Sequence, residues 1–405
     1  MQIRAPRPLA LLLMLCLGAG AAAAPAAAGT DGRPSDASEG SVSAERPVET
    51  QRGKARPARG FLAPRSGVLF GVSIDWGNDT LAAYAERLGR APAVAVTFTG
   101  FPMSSQEEMW LDQAVEQARA AGSELLLTVE PFTGLDAVTK ANSRALATRL
   151  AGYNRQGVDV YLRFAHEMNG SWYPWAQKPD DYVDAFRRMA TAVHATAPRT
   201  AMMWAPNYGG GYPFAGGVHQ APAGRADAEA MDTDGDGTVT GEDDPYRPYW
   251  PGRKHVDWVG MSVYHWGAVY PWGENEVPED GKYVDLLRGT YDGAAGDELA
   301  VPDFYREYGE RMRLPVAVTE TAALYVPDAG GADERAIKSA WWDQVLAATN
   351  ARTMPWLKMV NWFEWAKFEP EVDGRVDWTV TTTPEIAEGF VAALPRWLRY
   401  AGGAR

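Results

Sequence analysis

From Gly67 onward the chain repeats one alternation, a short apolar run followed by an amphipathic stretch, and it does so often enough to restrict the fold severely. Eight runs read as strands: 68–76, 93–101, 124–132, 159–167, 200–207, 256–266, 315–321 and 359–368. Each is short and rich in apolar, β-branched or aromatic residues, as strands buried on both faces require. Amphipathic segments separate most of them, for example 105–122, 143–157, 178–195 and 333–350. Several open on Ser, Asp or Asn and close near Gly or Pro, as helices do. Eight such units predict an α/β protein of the (β/α)8, or TIM barrel, class. A doubly wound open sheet is the structural alternative. No G-x-G-x-x-G or phosphate loop follows the first strand, so nucleotide binding has no support.

Other parts of the chain bound its surroundings. Residues 1–28 resemble a secretory signal peptide: Arg4 and Arg7, then LALLLMLCLGAGAAAA, then small residues. Cys16, the only cysteine, lies inside this segment, so the mature protein is expected to be exported and free of disulfides. Residues 29–64 are polar and lack periodicity, which reads as a disordered linker before a domain at 65–405. The net charge of -13 and pI near 5.0 disfavour nucleic acid or an anionic membrane as partner. A monomer acting on a neutral or mildly polar ligand is expected. The 16 Trp, 17 Tyr and 12 Phe, many near predicted strand ends, favour a carbohydrate.

Residues 161–175, YLRFAHEMNGSWYPW, are the most informative about chemistry. A β-prone run ends in His166-Glu167, a turn at Asn169-Gly170 follows, and then Trp172, Tyr173 and Trp175. A carboxyl at a strand end can protonate a glycosidic oxygen, and flat rings can stack on pyranose faces. A surface ion pair beside core aromatics is the plainer reading.

The stretch RFAHEMNGSWYPW resembles the signature around the catalytic acid of glycoside hydrolase family 26, best known for endo-β-1,4-mannanases. The resemblance implies a (β/α)8 glycosidase with an acid/base Glu ending strand 4 and a nucleophile Glu ending strand 7. Glu167 and Glu320 stand at those positions. It also implies that His166 hydrogen-bonds the sugar or the nucleophile, although a buried His bonded to backbone remains open. Trp172 stands where the family carries a substrate-contacting aromatic, and Tyr264 where a strand 6 Tyr positions the nucleophile. Arg163 matches a buried Arg beneath the nucleophile. Trp362 or Trp365 matches the strand 8 aromatic floor, Trp362 being taken as the candidate. Asp257 matches too but is as readily structural, and Lys367 could reach a sugar or pair with Glu364 or Glu369.

A separate motif, DTDGDGTVTGED at 232–243, lies in the long connection 209–255 between strands 5 and 6. Asp232, Asp234, Asp236, Thr238 and Asp243 fall at calcium-loop positions 1, 3, 5, 7 and 12, with Gly237 at 6. Asp replaces the usual Glu at position 12, as in dockerins. The loop predicts a structural Ca2+, with no cofactor for catalysis; a solvated acidic turn is the alternative. The leading function is a secreted, retaining endo-β-glycosidase acting on β-1,4-mannan, with β-1,3-1,4-glucan and β-1,3-xylan as alternatives. A non-catalytic carbohydrate-binding barrel and a calcium-organised surface protein are the competing classes.

Overall fold

The computed structural model describes residues 62–268, 272–293 and 301–402. The signal segment 1–28 and nearly all of the 29–64 linker lie outside the described residues. The barrel strands are β1 (Val68–Ile74), β2 (Val94–Gly100), β3 (Glu124–Glu130), β4 (Val160–Phe164), β5 (Thr200–Trp204), β6 (Trp258–Ser262), β7 (Val316–Thr321) and β8 (Leu357–Glu364). They pair in sequence order and in parallel, and β8 pairs with β1 from Leu69↔Met359 to Ile74↔Glu364, which closes the barrel. This closure of the parallel sheet excludes the doubly wound alternative. Around the barrel run α1 (Leu81–Leu88), α2 (Ser105–Ala121), α3 (Lys140–Arg155), α4 (Pro179–Thr196), α5 (Ala226–Met231), α6 (Lys282–Arg288), α7 (Glu334–Val345), α8 (Asn350–Thr353) and α9 (Pro384–Ala393). A π-helical segment, Tyr305–Arg311, precedes β7. No helix among the described residues is long and apolar enough to cross a membrane.

Local chemistry explains the helix ends. Ser104 caps α2, accepting from the Glu107 N–H while the Glu107 carboxylate accepts from the Ser104 N–H. These reciprocal bonds satisfy donors that have no partner inside the helix. Gly122 then ends α2 in the left-handed conformation at φ 71°, where a side chain would be strained.

Strand parity sorts the core into two shells. Leu69, Val96, Leu126, Tyr161, Met203, Trp258 and Met359 point inward and fill the lower barrel. Their strand neighbours, such as Phe70, Leu127, Leu162 and Val360, point outward against the helices. The period of two therefore sends Glu130, Arg163, Ser262 and Phe363 to the inside at the C-terminal mouth. Leu62, three residues before the expected barrel start, is buried in the inner shell and its carbonyl accepts from the Tyr161 hydroxyl at 3.2 Å.

Three departures from the sequence reading matter for the site. β4 ends at Phe164, so Glu167 stands on the loop beyond it. The expected strand 359–368 divides where pairing with β1 stops at Glu364. The chain then forms an antiparallel hairpin, β9 (Ala366–Glu369) with β10 (Gly374–Asp377), on the rim. A last short strand, β11 (Leu398–Arg399), pairs with the start of β1.

Candidate active site

The site gathers at the C-terminal mouth, where backbone irregularities aim both carboxyls inward. Ala165 and Glu167 adopt φ of 45° and 54°, conformations that cost a non-glycine residue free energy and recur at functional sites. The Glu167 N–H donates to the Ala205 carbonyl at 2.9 Å, anchoring the loop to the end of β5. On β7 the register slips between Val318 and Glu320 against β6. Without that slip, Glu320 would share the outward parity of Val318. Thr321 faces α7, accepting from the Trp341 indole at 3.0 Å, so the irregularity turns Glu320 into the mouth.

One guanidinium serves both carboxyls. Fully buried Arg163 hydrogen-bonds Glu320 through Nη1, and its Nη2 lies 3.8 Å from Glu167 Oε1. Ser262 Oγ accepts from Arg163 Nη2 at 2.8 Å and donates to Glu167 Oε1 at 2.7 Å. The Tyr264 hydroxyl donates to Glu320 Oε2 at 2.7 Å, and the Trp172 indole N–H to Glu167 Oε2 at 3.2 Å. Glu320 thus holds one donor on each oxygen, an arrangement suited to an oriented carboxylate. Burial pushes the Glu167 carboxyl up to about 7, Glu320 adds to the rise, and Arg163 opposes it. Glu167 is therefore an acid that keeps its proton close to neutral pH.

Trp172 is 5% exposed, packed edge-on to Phe214 at 5.1 Å. Its clearest contact is with the Glu167 carboxyl rather than with open cleft. His166 is buried among Phe98, Tyr173 and Trp175, and its Nδ1 has no hydrogen-bond partner. Burial, reinforced by Arg163, holds its imidazole well below the ordinary value, so it is neutral.

Trp362 corrects the sequence reading. Its parity is that of outward-facing Val360; the ring is fully buried against Phe390 of α9, and its indole donates to the Trp378 carbonyl. The wall of the mouth near β8 is instead Phe363, Tyr264 and Trp365. The rings of Phe363 and Trp365 are nearly parallel with centroids 5.9 Å apart, and Tyr264 meets Phe363 edge-on. Lys367 pairs with Glu369 at 3.1 Å. Asp257 bonds His194 and the Met202 N–H, a structural role.

Sequence reasoning missed Ser262 and Glu130. Ser262 carries no local signal beyond lying two residues before Tyr264. Glu130, in LLLTVEPF, ends β3 as Glu167 follows β4, and a charged residue closing an apolar strand was the available sign.

The connection 209–255 supports the loop that carries Glu167. The Ser171 hydroxyl donates to the Phe214 carbonyl at 2.6 Å, and the His219 N–H to the Ser171 carbonyl at 2.9 Å. Gln177 donates to the Pro213 carbonyl and accepts from the Ala221 N–H. Within this connection, Asp232, Asp234 and Asp236 bring carboxylate oxygens within 4.8 Å of one another. Gly235 and Gly237 adopt φ of 81° and 93°. Both N–H groups donate to Asp232. Asp243 stands apart from the three, its oxygens accepting from the N–H groups of Thr233, Asp234 and Thr240. Thr238 donates to Asp236 through its N–H and its hydroxyl.

No family model matches the chain. Endoglucanase H of Acetivibrio thermocellus is 26% identical over 347 residues, covering 81% of this chain and 30% of the relative. The chain therefore spans about 30% of the length of that curated relative. Among solved structures, a modular endo-β-1,4-mannanase from Cellulomonas fimi is similar at 17% identity, with a TM-score of 0.52 over 84% of this chain and 73% of that one. GH26C from Muricauda sp. is similar at 12% identity and a TM-score of 0.52, over 84% of this chain and 88% of that one. At these identities the likeness fixes architecture, and this chain has the (β/α)8 barrel found in glycoside hydrolase family 26.

Proposed function

We propose that the protein is a retaining endo-β-glycosidase cleaving a β-linked polysaccharide. The observation that carries this reading is Arg163, which hydrogen-bonds Glu320 and lies within ion-pair distance of Glu167. A barrel that only bound sugar would have no use for a buried cation shared between two carboxyls. Glu167 protonates the glycosidic oxygen as Glu320 attacks the anomeric carbon, and the aglycone leaves. Glu167, now a carboxylate, deprotonates water, which attacks the anomeric carbon and releases Glu320. Arg163 and Tyr264 orient Glu320 throughout, while neutral His166 packs among Phe98, Tyr173 and Trp175 without adding charge.

β-1,4-Mannan is the leading substrate, supported by the barrel's likeness to a protein described as a mannanase. The relative described as an endoglucanase keeps β-1,3-1,4-glucan in contention, with β-1,3-xylan as a further alternative. A panel of these soluble polysaccharides with product sizing tests the reading. Mid-chain cuts that release mixed oligosaccharides are expected. Absence of cleavage by folded protein would favour a sugar-binding barrel.

Calcium in the loop 232–243 belongs to the same proposal. Asp232, Asp234 and Asp236 would supply carboxylate oxygens and Thr238 its backbone carbonyl, with Asp243 closing the loop. Three clustered carboxylates repel one another unless a cation lies among them. The ion would clasp the connection that supports the Glu167 loop and take no part in the reaction. The segment 1–28 supports export, so that the enzyme would meet its polysaccharide outside the cytoplasm.

A further inference from the structure

The cleft holds a third inward-facing carboxyl, at Glu130. Parity along β3 places Leu126 in the inner shell, so Thr128 and Glu130 point into the barrel as well. Glu130 is 4% exposed, and its Oε2 is buried with no hydrogen-bond partner. A buried polar atom left unpaired costs on the order of 1–3 kcal/mol, so its retention calls for a partner that arrives from outside. The charged groups acting on it are Arg163 of β4, Glu320 of β7, Glu167 and, from α2, Glu107. All but Glu107 are the two carboxyls that would act on the scissile bond and the guanidinium that orients them.

We propose that Glu130 is a specificity-determining residue whose carboxyl group hydrogen-bonds a hydroxyl of the sugar held against Glu167 and Glu320. This rests on the hydrolase reading and extends it to one side chain that reads the saccharide. Among the described residues Arg163 is the cation that faces these carboxyls, and it is bonded to Glu320. Burial accordingly pushes Glu130 up to about 8, with Arg163 opposing and Glu320 and Glu167 adding to the rise. The neutral acid presents one donor and one acceptor, which suits the paired roles of a sugar hydroxyl. An ionised carboxylate there would only accept, and would repel the charge on Glu320.

The test compares Glu130→Gln with Glu130→Met, using the polysaccharide that the wild type cleaves. Gln keeps a donor and an acceptor in the same volume, while Met keeps the volume and loses both. At pH 6 the Gln variant should retain kcat/KM within about threefold of wild type. The Met variant should lose more than tenfold, with a melting temperature no lower than that of the wild type. A Met variant with wild-type kcat/KM would overturn the proposal and leave the hydrolase reading intact. Equal losses in the two variants would also overturn it, because the amide preserves the hydrogen bond. If the wild type cleaves no member of the panel, the hydrolase reading fails and this assignment falls with it.

Discussion

Ser262 joins Arg163 to Glu167, accepting from the guanidinium at 2.8 Å and donating to the acid at 2.7 Å. Its hydroxyl favours the ionised form of Glu167 and works against the burial that raises it. Ser262→Ala should therefore move the alkaline limb of kcat/KM to higher pH and lower the maximum by about tenfold through lost alignment. A pH–rate profile measures both, and an unmoved limb would separate Ser262 from the acid.

The wild-type limb itself should lie near pH 7, the value to which Glu167 is raised. The active form is protonated, so activity falls as pH rises through this value. Stability follows the same sign. Glu167 and Glu130 bind their protons more tightly folded than unfolded, so their contribution is complete in acid and is lost as pH rises through about 7 and 8. Glu130→Gln should raise the melting temperature at pH 9 and change it little at pH 5. Equal shifts at both pH values would count against the raised acid.

Trp172 should act through Glu167. Trp172→Phe keeps most of the packing against Phe214 and removes the indole N–H that reaches the acid. A three- to tenfold loss of kcat, at nearly constant melting temperature, is expected, within the range of about 0.5–1.5 kcal/mol for one hydrogen bond. A change confined to KM would make the ring a substrate platform instead.

The two tryptophans near the end of β8 should separate cleanly. Trp362→Ala opens a cavity beneath α9 and should cost about 3–5 kcal/mol of stability. Trp365 is partly exposed and lies beside Phe363. Trp365→Ala should lower kcat/KM more than tenfold with little change in melting temperature. Thermal melts and kinetics of both variants decide it; the reverse pattern would reverse their assignment.

Calcium should raise the melting temperature in a concentration-dependent way, because an ion bound only to the folded chain stabilises it by mass action. Asp234→Asn with Asp236→Asn should abolish that shift while leaving turnover well below the melting temperature nearly unchanged. Elemental analysis showing no bound metal would contradict the site.

Much of this was legible in the sequence because it depends on period and on local motifs. Eight strand-length apolar runs alternating with amphipathic stretches require a parallel sheet covered by helices, and the pairing of β8 with β1 is what makes that sheet a barrel rather than the doubly wound alternative. Glu167 was visible from its neighbours in HEMNGSWYPW. Long-range geometry was not. The slip in β7 that turns Glu320 inward depends on pairing with β6 and β8. The inward parity of Glu130 and the outward parity of Trp362 depend on where each strand registers against the next. The first strand of the rim hairpin was read as a continuation of β8 because its residues are as β-prone, and only the end of pairing with β1 divides them.

The proposed reaction is a double displacement at the anomeric carbon by Glu320 with Glu167 as acid and base. Proton NMR of the first-formed product, recorded before mutarotation, tests it most directly. A β anomer appearing first from the β-linked substrate is the predicted result, and an α anomer appearing first would contradict the covalent mechanism.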